Sequence, residues 1–268
     1  MSITCVRPPI HVLAVAVLVF MSTSDAPAQE AKLVSAGKSF FEDFSNFDRR
    51  RWIVSNDRAS GDFQDCLFLA RNVQPVDGAL ELRLTDTPNS RSSFTCAEMQ
   101  SAQAYGHGMY EVRMRAAGAV PGIVSAFFTF IRPPHDEIDI EFVGKSPKQV
   151  QVNTFVNAHS QYGKVIDLDF DTTTSMNDYA FEWLPDTLRW FANGRLVHEV
   201  KREAGKPYPV TAGTIHLSVW NGKGTEAWLG AFAYPGRPLS VRYEYIAFTE
   251  AGQPCQFPTS IICKRQAK

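Results

Sequence analysis

The chain has no convincing amphipathic helix, no internal repeat and no low-complexity linker in its 268 residues. Without a 3.6-residue apolar periodicity, the core has to be built from strands. Neither sign of charge is in excess: 27 Lys and Arg stand against 28 Asp and Glu, a formal net charge of −1. That balance gives no electrostatic footprint for nucleic acid or for an anionic membrane. Long apolar runs are lacking too, apart from residues 12–21 near the start, and that run is too short to span a bilayer as a helix. With Arg7 before it and Ala26-Pro27-Ala28 after it, it reads as an export signal cleaved after Ala28. The expected organisation is a leader at 1–28, one domain at 29–250 and a tail at 251–268, in a secreted or periplasmic protein.

Cysteine is sparse. Of the five, Cys5 falls in the leader and leaves Cys66, Cys96, Cys255 and Cys263. An even number in an exported chain points to disulfides, and four cysteines allow three pairings.

What is present is a series of short strand signals separated by turns. Residues 79–84 follow the turn pair Asp77-Gly78, residues 109–115 alternate, and residues 122–130 are almost continuously apolar. Segments 150–156, 165–170, 187–191, 195–200, 215–219 and 241–248 complete the set, with Asn193-Gly194 favouring a type I′ hairpin. This pattern predicts an all-β, two-sheet antiparallel β-sandwich. Residues 29–37 and 251–268 read as loose ends.

One stretch stands out. In His135-Asp136-Glu137-Ile138-Asp139-Ile140-Glu141-Phe142, Glu137, Asp139 and Glu141 fall on one face of a strand, and Ile138, Ile140 and Phe142 on the other. Three carboxylates in a row repel one another, with no Lys or Arg between them. A solvated acidic face and a Ca²⁺-binding cluster are two readings of the spacing. The third is a carboxylate pair of a retaining glycoside hydrolase. Asp139 between the two Glu side chains would help to keep a proton on a neighbour, which a general acid needs.

The stretch DEIDIEFVG at 136–144 resembles the catalytic strand of glycoside hydrolase family sixteen. The similarity extends from about residue 40 to 250. It includes Phe40-Phe41-Glu42-Asp43-Phe44, Cys96-Ala97-Glu98, Tyr105-Gly106-His107-Gly108-Met109-Tyr110-Glu111-Val112, Tyr179-Ala180-Phe181-Glu182-Trp183 and Trp220-Asn221-Gly222. The resemblance implies a concanavalin A-like jelly roll whose concave sheet forms the cleft. It also implies Glu137 as nucleophile, Asp139 as modulating acid and Glu141 as acid/base. Glu98, His135, Asn153, Phe155, Trp220, Asn221 and Trp228 match or neighbour its substrate-binding positions, and aromatic side chains suit sugar faces. Phe128 is assigned to the core. Cys66–Cys96 is the disulfide the resemblance implies, which leaves Cys255–Cys263 to pin the tail.

Some family members hold a structural Ca²⁺, and Glu244 is the matching position; catalysis needs no cofactor. Met99, Gln100 and Ser218 depart from the lichenase pattern and argue against a plain mixed-linkage glucan as substrate. The expected protein is a monomeric endo-β-1,3-1,4-glycanase acting on a polysaccharide, with a bacterial exopolysaccharide such as succinoglycan favoured. A transglycosylase using the same residues and a non-catalytic glycan-binding module are the alternatives.

Overall fold

A computed structural model describes residues 37–59, 61–87, 92–254 and 256–266. The expected leader and Cys255 lie outside the described residues. Two sheets face each other, antiparallel except where Leu67–Phe68 runs parallel to Thr95–Tyr105. Across the larger, ten-stranded one the order is His159–Ser160, Gln149–Val156, Asp136–Val143, Ile123–Ile131, Gly213–Asn221, Thr95–Tyr105, Leu67–Phe68 and Arg58–Ala59. Lys164–Asp167 pairs with Gln149–Val156, and Trp52–Val54 with Thr95–Tyr105. The eight-stranded sheet runs Arg195–Lys201, Thr187–Ala192, Asn177–Trp183, Gly108–Arg115, Leu239–Glu250, Ala79–Leu84 and Val73–Val76, with Phe40–Glu42 against Leu239–Glu250.

Alternation decides which face each side chain takes. Ile138, Ile140 and Phe142 point inward and meet Phe181, Trp183, Leu188 and Trp190 of the opposite sheet in one core. Among the hydrogen bonds that cross the sandwich, two reach the middle of the larger sheet. The Trp190 indole N–H donates to the Asp139 carbonyl (3.1 Å), and the Tyr243 hydroxyl to the Ala126 carbonyl (3.0 Å). Both acceptors belong to the larger sheet, on the strands Asp136–Val143 and Ile123–Ile131. Asn193 and Gly194 both have positive φ (46° and 76°), as a type I′ hairpin turn requires. Asp77 and Gly78 do the same (48° and 68°) and join Val73–Val76 to Ala79–Leu84. The disulfide Cys66–Cys96 is present and ties the segment before Leu67–Phe68 to Thr95–Tyr105. Closing a loop of 30 residues contributes about 3–4 kcal/mol through the unfolded chain. Cys263 is also disulfide-bonded.

The tail is not a loose end. Residues Ile261–Gln266 form a short helix on the outer face of the eight-stranded sheet, where Ile261 packs with Met109, Ala180 and Phe191. Glu111, only 2 % exposed, accepts hydrogen bonds from the Ser260 hydroxyl and the Ile261 amide. Its carboxylate caps the first turn of the helix, where a negative charge is favoured. Glu244, the position the resemblance links to Ca²⁺, accepts a hydrogen bond from Arg113.

The Glu111→Ala variant leaves two buried donors unpaired. It is expected to lose about 2–3 kcal/mol of unfolding free energy in denaturant titration and to expose the tail to limited proteolysis. Unchanged stability would show that the tail is not held through this carboxylate.

Candidate active site

Strand register arranges the outer face of the larger sheet in rows. The first row carries Phe155, Glu137, Phe130 and Thr214; the second Asn153, Asp139, Phe128, His216 and Gln100. The third carries Val165, Gln151, Glu141, Ala126, Ser218 and Glu98. Trp220 heads the next row beside Val124. The three acids therefore stand in three successive rows, with aromatic rings flanking Glu137 and with Ala126 and Gln151 flanking Glu141. Together they line a cleft of about 530 Å³ with Phe63, Glu98, Phe128, Asn153, Phe155, Trp220 and Trp228.

Burial dominates the electrostatics. The Glu137 carboxyl is raised, chiefly by desolvation, and hydrogen bonds with Asp139 and His135 offset only part of that rise. Its contact with His135 Nε2 is 3.3 Å. Asp139 is 3 % exposed and is raised well above the usual range by burial and by its two acidic neighbours, so it keeps a proton that it can donate to Glu137. Glu141 is pushed up to about 8, first by burial and then by the Glu137 charge. Burial raises both Glu side chains; the hydrogen bonds to Glu137 favour its ionised form, as a nucleophile requires, while Glu141 holds its proton up to about 8, as an acid requires.

His135 sits just before the strand at φ 80°, a conformation costly for a side chain other than glycine. Backbone hydrogen bonds to Ile131 and from Ala158 hold it there (3.0 Å each). Its ring lies between Phe130 and Phe155. Glu98 is buried and accepts from the Ser55 hydroxyl (2.7 Å) and from Arg58. Trp228, on the helix Glu226–Leu229, donates to the Gln151 amide (2.7 Å) and lies 6.0 Å from the Trp220 ring.

Two expectations need correction. Asn221 is wholly buried on the core face of its strand, because alternation sends Trp220 to the cleft and its neighbour inward. Phe128 faces the cleft, stacked on His216 at 4.9 Å, while Phe127 takes the core. A run with apolar residues on both faces gives little sign of which face is which. His216, Gln151, Phe63 and Val165 were not anticipated. Counting back in twos from Trp220 would have found Ser218 and His216. Burial, with Arg58 nearby, depresses the His216 imidazole to about 3, so it is neutral at ordinary pH.

A β-sandwich with a buried carboxylate row on the floor of an aromatic-walled cleft defines a polysaccharide-processing protein of acid/base type. Residues 61–243 match the model of the glycosyl hydrolases family 16. The chain is 39 % identical over 231 residues to the endo-1,3-1,4-beta-glycanase ExoK of Rhizobium meliloti, covering 85 % of this chain and 84 % of that protein. It is 37 % identical over 236 residues to a beta-glucanase of Bacillus subtilis, covering 86 % and 92 % respectively. The solved beta-glucanase of Bacillus licheniformis superposes with a TM-score of 0.75 at 37 % identity, over 80 % of this chain and 99 % of that one. The chain belongs to glycoside hydrolase family 16 and is a glycoside hydrolase with its jelly-roll fold.

The raised Glu141 gives a pH-dependent stability with a definite sign. In the unfolded chain it titrates near 4.5 and in the folded protein near 8. The native state therefore binds its proton more tightly. The associated stability is complete below pH 4.5 and is lost as pH rises through about 8. Glu141→Gln removes the buried charge and should raise the melting temperature relative to wild type at pH 8, with little effect at pH 4.5. Equal shifts at both pH values would refute the raised titration.

Proposed function

We propose that this protein is an exported endo-1,3-1,4-β-glucanase that cleaves internal bonds with retention of configuration. The observation that carries this is the row of Glu137, Asp139 and Glu141 on the cleft floor, with Glu141 pushed up to about 8. Glu137 attacks the anomeric carbon, and the proton on Glu141 passes to the leaving glycosidic oxygen. Glu141, now ionised, takes a proton from water, which displaces Glu137 from the glycosyl-enzyme. Asp139 keeps its proton and hydrogen-bonds to Glu137, spreading the charge of the nucleophile as it ionises and departs. His135 holds the same carboxylate from the other side.

Trp220, Trp228 and Phe63 supply stacking surface at one end of the cleft, and Phe128 and Phe155 at the other. The open cleft suits a polymer threaded through it. The similarity to the rhizobial glycanase, together with Met99, Gln100 and Ser218, favours a β-glucan-like bacterial exopolysaccharide such as succinoglycan over cereal-type glucan. The apolar run at 12–21 and the Cys66–Cys96 bond support export. We take the working form to be the monomer.

Glu137→Gln should lower kcat by about 10³-fold or more on lichenan and succinoglycan while polymer binding persists. Residual activity near wild type would remove Glu137 from the mechanism. The anomer released first, followed by proton NMR, should keep the β configuration; release of the α anomer would exclude retention. The rate should rise as Glu137 ionises above its ordinary range, then fall above about pH 8 as Glu141 loses its proton. A profile flat to pH 10 would contradict Glu141 as the acid.

A further inference from the structure

Glu98 stands in the same row as Glu141, across Ala126 and Ser218. Three strand spacings separate them, about 14 Å of sheet. That distance is too long for the sugar under attack, so Glu98 serves a unit further along the polymer. Its side chain is 9 % exposed, and one oxygen, Oε1, takes both the Ser55 hydroxyl and the Arg58 guanidinium. The second oxygen has no partner among the described residues, and Glu98 lines the cleft.

Arg58 comes from outside the central strands. It sits on Arg58–Ala59, a two-residue strand at the sheet edge that pairs with Leu67–Phe68. Its side chain is 54 % exposed, and its charge bears on His216, one row over from Glu98. The same segment, 55–65, also delivers Phe63, which meets the Trp220 ring edge-on at 5.4 Å and is 48 % exposed in the cleft. Backbone bonds from Asp65 to Asn221 (2.9 Å) and from Lys223 to Phe63 (2.8 Å) fasten that segment to the Trp220 strand end. One short stretch of chain thus brings a cation and an aromatic edge to the same wall.

We propose that Arg58 is a specificity-determining residue of the cleft. It holds Glu98 in place as an acceptor and offers its remaining N–H groups beside it. The pair takes adjacent hydroxyls of one neutral sugar unit, the first donating to the free Glu98 oxygen and the second accepting from Arg58. A carboxylate clamped by a guanidinium is pre-oriented, so little is lost in ordering it when sugar arrives. A sugar unit lacking the first hydroxyl, or carrying a substituent on it, leaves the buried Glu98 oxygen unsatisfied, and one lacking the second forfeits the Arg58 contact, so both are disfavoured. The inference rests on the glycanase reading given above.

The test compares Arg58→Ala and Arg58→Lys with the parent, each also in a Glu137→Gln background for binding. Hydrolysis is measured on mixed-linkage β-glucan and on a short aryl β-glucoside that ends before Glu98. Binding of a mixed-linkage tetrasaccharide is measured by calorimetry. Arg58→Ala should raise KM on polymer and weaken tetrasaccharide binding about tenfold, which is about 1.4 kcal/mol. It should leave kcat within about twofold and the aryl glucoside untouched, and Arg58→Lys should recover part of the loss. Unchanged binding, or equal damage to polymer and short substrate, would overturn the assignment, as would no binding by the parent. Arg58-dependent binding without hydrolysis by the parent would support it while overturning the glycanase reading.

Discussion

Three carboxyl groups crowd one face of a single strand, Asp139 buried and the two Glu side chains half-buried, and the other face of that strand is sandwich core. Desolvation is the largest influence on each of them, ahead of their mutual repulsion. Such a row is tolerable only if protons are held where charges would collide. Here Asp139 holds one and hydrogen-bonds to Glu137, and Glu141 holds another up to about 8. The division of labour between acid and nucleophile follows from that distribution. It would vanish if the strand were exposed and each group titrated at its ordinary value.

The fixed two-residue period of a strand serves both requirements at once. Ile138, Ile140 and Phe142 anchor the strand in the core, and the residues between them can only point into the cleft. Pairing with neighbouring strands then sets what each acid meets. Glu137 gains aromatic neighbours in Phe130 and Phe155, whereas Glu141 gains Ala126 and Gln151. The Glu141 end of the cleft is walled instead by the rings of Trp220 and Trp228, the latter bonded to Gln151.

Much of this was legible in the sequence where alternation was clean. The acids declared their face, and so did Trp220 once its strand was placed. Residues 122–130 did not, because apolar residues on both faces carry little phase, and Phe128 was assigned to the core although it faces the cleft. Thr95–Tyr105, eleven residues long, gave no strand signal because small and polar residues fill it, several of them buried. The docked tail was invisible for a different reason. Its anchor, Glu111, lies 149 residues from Ser260, and nothing in either segment advertises the other. Arg58 is equally silent, since its meaning depends on a carboxylate 40 residues away.

The Trp190 and Tyr243 hydrogen bonds to Asp139 and Ala126 make the far sheet a foundation for the near one. Both donors are core side chains that never meet a sugar, yet they grip the backbone beneath the reacting groups. The cleft therefore has no independent mechanical existence. Adaptation to a new polymer is open to the rim, where Arg58, Phe63 and Trp228 can change singly, while the floor can drift only if both sheets drift together.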